Sequence, residues 1–149
     1  MNIALAAVGF RTGDVEYNKK KIMETLRKYS KGNDLVVFGE TFLQGFDCLS
    51  WDFGKDRDIA LGQDSVVMDE IKKAARNNGT AVSFGYVERD GENLFSSQLT
   101  IGSDGEIADN FRRVSTGWKE PVADRHYCEG EGFHVFPLNG KTIAIGLCG

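Results

Sequence analysis

The sequence predicts an α/β fold in which two helices cover one face of a mixed β-sheet. Three observations carry the α/β reading. Apolar runs at 3–10 and 35–38 flank an amphipathic stretch, the pattern of a parallel βαβ crossover. Later strand-like runs are separated by Asp90-Gly91, Asp104-Gly105 and Asn139-Gly140, dipeptides that favour tight hairpins and so antiparallel pairs. No repeat, low-complexity tract or linker divides the 149 residues, which suit one domain able to bury a core.

The opening run 3–10 is almost continuously apolar and short, as expected of a strand covered on both faces. Residues 11–14 turn the chain. From 16 to 31 the pattern is helical: Ile22, Leu26 and Tyr29 share one side with Met23, Lys19, Lys20, Lys21, Glu24 and Arg27 take the other, and Gly32 ends the helix. Residues 35–38 form the next buried strand. The stretch 47–62 has Trp51 and Phe53 among charges without clear period and reads as a loop edging a site, with room for a helical turn. Asp64 or Ser65 caps a second helix that runs through Val67 and Ile71 to Gly79, beside the first on the same sheet face. Strands are expected at 80–88, 93–101, 107–113 and 133–138, with a second long loop over 115–131. The last stretch, 141–147, reads as a buried strand with Ile143, Ile145 and Leu147 on one face, leading into a turn that presents Cys148.

Composition narrows the class of function. The net charge of −4 and scattered Lys and Arg give no basic stripe for nucleic acid. No apolar run approaches the roughly 18 residues of a membrane helix, and the N-terminus has no basic region with a cleavage site, so a cytoplasmic protein is expected. Cysteines at 48, 128 and 148, without a Cys-x-x-Cys, argue against a disulfide framework and a zinc site. The two histidines, His126 and His134, have no metal-ligand spacing, and neither metal nor cofactor is expected.

Two positions carry chemistry. Cys148 at a strand end can act as a nucleophile if a base and oxyanion donors meet it; otherwise it is a buried, inert thiol. Glu40 follows the strand 35–38, at the mouth of the sheet where α/β folds bind ligands, and is either a general base or a loop-capping, solvated carboxylate.

The chain carries, in order, Asp34-Leu-Val-Val-Phe-Gly-Glu40 with Gly45-Phe46, Gly85-Tyr86, Asn93, Gly105-Glu-Ile-Ala-Asp-Asn-Phe-Arg-Arg113, the Gly130 region, and Gly140-Lys through Ile-Gly-Leu-Cys148-Gly. In their order and spacing these stretches resemble the nitrilase superfamily of carbon-nitrogen hydrolases. The resemblance implies the α-β-β-α sandwich and a site of Glu, Lys and Cys, in which Glu40 is the base and Cys148 the nucleophile. The implied reaction is hydrolysis of a small-molecule amide, carbamoyl or nitrile through a thioester, by a homo-oligomer.

This chain departs from the family pattern in two places. The lysine position after the aromatic-Arg pair Phe111-Arg112 holds Arg113, and Lys119 with Glu120 could instead supply the cation and a second carboxylate, or be solvated loop charges. The chain also ends one residue after Cys148, so it reads as the N-terminal half of the sandwich, and residues 1–149 alone are expected to have little or no activity. The competing reading is a truncated or relic domain acting in binding or assembly; a redox thiol protein comes third, because no cysteine lies at a resolving spacing.

Overall fold

The computed structural model describes residues 1–148. Its main sheet has five strands in sequence order: β1 Ile3–Leu5, β2 Leu35–Val37, β3 Ala81–Asp90, β4 Asn93–Ile101 and β5 Ile107–Arg112. The first three run parallel and the last three antiparallel, so the mixed sheet expected from crossovers and hairpins is what forms. A separate two-stranded sheet pairs β6 Val135–Leu138 with β7 Lys141–Ala144.

Helices α1 (Val15–Tyr29) and α3 (Val66–Asn78) make the two crossovers and pack on one face of the sheet. Asp14 caps α1 by accepting from the Tyr17 amide, and Ser65 caps α3 by accepting from Met68, which satisfies amides the helix leaves unpaired. Gly79 closes α3 in the left-handed region at φ 60°, where a side chain would be strained. Ile22, Leu26, Met68 and Ile71 are fully buried against Val36, Val82, Phe84 and Leu99. Side chains alternate along β3 and β4, so Phe84, Tyr86 and Glu88 share the helix side with Ser97 and Leu99, while Gly85, Val87, Ser96 and Gln98 lie on the other.

Three expectations are corrected. The run 3–10 is a strand only over Ile3–Leu5, at the sheet edge: Ala4, Ala6 and Val8 face the helices, but Ile3 and Leu5 point to an uncovered side and are 49% and 79% exposed. The stretch after Asp47 contains a third helix, α2 (Phe53–Ile59). Its organiser is Asp56, a buried carboxylate that accepts from the Ser50 amide and hydroxyl, the Trp51 amide and the Tyr127 hydroxyl, an arrangement without periodicity to reveal it. The terminal strand is not buried. Among the described residues β7 pairs only with β6, and Ile143 and Ile145 pack with Phe136 and Leu138 against Leu35 and Ala81 while their neighbours face outward.

One irregularity matters for the site. The β4–β5 register shifts so that Thr100 opposes Asp109 and Ile101 opposes Ile107, leaving Ala108 as an extra residue. From there β5 alternates, and Arg112 and Arg113 point to opposite faces of the sheet.

Candidate active site

Glu40 sits where the chain leaves β2, and its position is set by a glycine across the sheet. The Gly85 amide donates to the Gly39 carbonyl at 3.1 Å, and the Leu43 amide to the Gly85 carbonyl at 3.0 Å. A Cβ on Gly85 would lie 2.2 Å from the Thr41 amide nitrogen and 2.6 Å from Glu40 Cα, so only glycine admits the turn here. Thr41 completes it at φ 52°, a conformation uncommon for a β-branched residue. The buried Gln44 side chain then holds the far end of the loop, accepting from the Val87 amide and donating to the Val87 and Ile59 carbonyls.

The Arg113 guanidinium meets Glu40 with Nη1 2.6 Å from Oε1, and the Ser96 hydroxyl donates to the same oxygen at 3.3 Å. Arg113 is 5% exposed, so this ion pair is shielded from solvent. Arg113 Nε donates to Ser115 Oγ at 2.8 Å, and Ser115 donates to the Cys148 carbonyl at 3.3 Å. A chain of polar contacts thus links Glu40, through Arg113 and Ser115, to the backbone of Cys148. Gly130 secures this region as Gly85 secures Glu40: its amide donates to the Arg113 carbonyl at 2.9 Å, and a Cβ would lie 2.4 Å from the Arg112 carbonyl oxygen.

Glu40, Arg113 and Cys148 line one cavity of about 410 Å³, walled by Trp51 and Trp118. Cys148 is exposed and forms part of its lining. Lys119 and Glu120 line it too, in different states. Lys119 Nζ donates to the Tyr127 carbonyl at 3.1 Å and pairs with the Glu129 carboxylate, whereas Glu120 is exposed. The other two thiols are less available as nucleophiles. Burial pushes the Cys48 thiol up to about 12, with Asp56 and Asp47 adding to the effect, and burial with the nearby Glu129 also raises Cys128. Among the described residues, no group of His, Cys, Asp and Glu is placed to hold a metal, and no helix is long and apolar enough to cross a membrane.

On the opposite face, Arg112 serves a second carboxylate. Glu88, 1% exposed, accepts from Arg112 Nε and Nη2 at 3.0 and 2.8 Å, Ser97 at 2.6 Å, Asn110 at 2.9 Å and Gln63 at 3.0 Å. Burial alone would raise its pKa, but these donors outweigh that and hold it below the usual carboxylate range. Sequence reading singled out neither this network nor Ser96 and Ser115, and placed Trp51 only in a loop edging a site. Single serines give no signal until the register is known.

The carbon-nitrogen hydrolase family model matches residues 2–149. The chain is 32% identical over 109 residues to an arylacetonitrilase of Hypocrea virens, a match covering 68% of this chain and 33% of that protein. It is 30% identical over 129 residues to a cyanide hydratase of Botryotinia fuckeliana, covering 80% of this chain and 34% of that one. The fold matches a crystal structure of an amidase from Nesterenkonia sp. with a TM-score of 0.81 at 20% identity, over 99% of this chain and 55% of that one. The chain therefore spans about a third of the length of these two curated relatives and just over half of that solved chain. With the matching model reaching from Asn2 to the last residue, the chain belongs to the carbon-nitrogen hydrolase family.

Proposed function

We propose that the protein hydrolyses a non-peptide carbon-nitrogen bond of a small amide or nitrile, with Cys148 as nucleophile, Glu40 as general base and Arg113 as the cation of the site. The observation that carries this is the convergence of the Glu40–Arg113 ion pair and the Cys148 thiol on one cavity. An amidase of the nitrilase superfamily from Nesterenkonia sp. AN1 offers a parallel: one mutant of it has been solved with butyramide, and another shows acrylamide added at the active-site cysteine.

Glu40 takes the thiol proton, and the Cys148 sulfur attacks the amide carbon to give a tetrahedral oxyanion. The amine departs with the proton that Glu40 returns, leaving a thioester. Glu40 then takes a proton from water, whose oxygen attacks the thioester carbon, and the acid leaves as the thiol is restored. A nitrile follows the same path through a thioimidate and an added water. Arg113 fixes the Glu40 carboxylate and stabilises negative charge as it builds. Ser96, bound to the same Glu40 oxygen, narrows that carboxylate to one orientation.

The test is ammonia release from short aliphatic amides by the full-length protein that carries these residues. Cys148→Ala and Glu40→Gln are each expected to lower turnover by at least about a thousandfold, as loss of a nucleophile or base does. Turnover surviving either change would refute the assignment. We also propose a cytoplasmic homo-oligomer, since exposed Ile3, Leu5, Phe133 and Val135 offer apolar surface for association. A monomeric mass by light scattering would oppose the oligomer.

A further inference from the structure

The charges around the cavity point to a substrate class, an inference that rests on the hydrolase reading above. Both cations that line the cavity are already matched, Arg113 by Glu40 and Lys119 by Glu129. Two further carboxylates, Asp47 and Glu120, line it, and among the described residues neither side chain makes an ion pair or hydrogen bond. The lining of this cavity, which includes Cys148, therefore carries an excess of negative charge. Its walls reinforce this. The Trp51 and Trp118 rings lie 5.9 Å apart at 52°, and indole faces attract cations. Trp51 is fixed at φ 63°, with its amide on the buried Asp56, and its ring also packs 5.2 Å from Tyr127, so the wall is rigid.

We propose that the substrate is a small amide or nitrile bearing a cationic group, an ammonium or guanidinium, on the side of the molecule away from the scissile carbon. The reacting carbon sits over Cys148 and Glu40, and the cation lies between the tryptophan rings and the carboxylates of Asp47 and Glu120. About 410 Å³ holds a chain of several atoms with a charged head. An anionic tail would meet uncompensated carboxylates and no available cation, so the cavity selects against acidic amides.

The field at the thiol can be read without turnover. Aminoethyl methanethiosulfonate and sulfonatoethyl methanethiosulfonate carry opposite charges and react alike: the thiolate bonds to the sulfenyl sulfur and methanesulfinate departs. The rate ratio of the cationic to the anionic reagent at Cys148, assigned by mass spectrometry, is compared with their ratio on free cysteine. We expect a ratio roughly tenfold above that reference, the scale of two partly screened charges acting at short range. The ratio should fall at least about threefold in the Asp47→Asn/Glu120→Gln double variant, which keeps Glu40, and be compressed on raising salt from about 0.02 to 0.5 M. A ratio at or below the reference, or one indifferent to both changes, overturns the proposal. The salt series on the unmodified chain decides the matter should the double variant fail to fold. The two readings fail separately: a flat ratio with Glu40-dependent ammonia release leaves a hydrolase without this substrate class, whereas a high ratio with no hydrolysis removes the hydrolase.

Discussion

Replacing Gly85 by alanine should disrupt Glu40 more than any other single methyl added near it. The new Cβ would lie 2.2, 2.6 and 2.7 Å from the Thr41 nitrogen, Glu40 Cα and Glu40 carbonyl carbon, all backbone atoms that no rotamer change can clear. Relieving the overlap requires β3 and the Glu40 turn to separate, at about 1–3 kcal/mol for overpacking of this kind. Separation also stretches the Gly85 to Gly39 and Leu43 to Gly85 hydrogen bonds, each contributing about 1 kcal/mol. The sum is about 3–5 kcal/mol. With a urea slope of about 2 kcal/mol per molar, the unfolding midpoint should fall by about 1.5–2.5 M. Gly39→Ala is the matched control, since a Cβ there meets nothing within 4 Å and its φ lies outside the left-handed region. It should be neutral or stabilise by a few tenths of a kcal/mol through the unfolded chain. Unfolding free energies for the two variants that agree within about 0.5 kcal/mol would refute the close-approach argument.

The buried pair can be tested by a double-mutant cycle in urea. Glu40→Gln or Arg113→Met alone should each cost about 3 kcal/mol, while the double variant costs less than their sum by at least about 1.5 kcal/mol, because the single changes strand a shielded charge; additive effects would contradict this. Acidification should act through Glu88. Its folded pKa is depressed, so its stabilisation is present above the unfolded value of about 4.3 and is lost as pH falls through the folded value. Urea midpoints between about pH 6 and 3 should therefore decline more steeply for the unmodified chain than for Glu88→Gln, and parallel declines would count against the network. Iodoacetamide at about pH 8 should label Cys148 first and leave Cys48 unmodified until the pH is well above that, given a thiol pushed up to about 12. Early labelling of Cys48 would show that its burial is wrongly placed.

Much of the layout was legible because it rests on local rules. Ser65 and Gly79 bound α3 as capping chemistry dictates, and Asn139-Gly140 joins β6 to β7 with both residues at positive φ. Glu40, Arg113 and Cys148 could be named from family resemblance, and the structure brings all three to one cavity while tying Lys119 to Glu129. What escaped depends on distant partners. The edge position of β1 follows from what lies beside it, which its apolar run does not encode. The buried carboxylates Asp56 and Glu88 look like surface charges until tyrosine, serine and arginine from elsewhere in the chain converge on them. The extent of the terminal strand was overread because apolar alternation specifies a covered face without naming what covers it.

The extra residue at Ala108 gives β5 a parity. Everything between it and Arg113 is counted from that point, one residue per side, so the assignment of one guanidinium to Glu88 and the other to Glu40 depends on whether the count is odd or even. Removing a single residue between the bulge and Phe111 would turn Phe111 toward the helices, carry Arg113 to the place of Arg112 beside Glu88, and bring Val114 instead of a guanidinium to the place beside Glu40. Adjacent arginines that look interchangeable in the sequence are thus kept distinct by arithmetic rather than by chemistry.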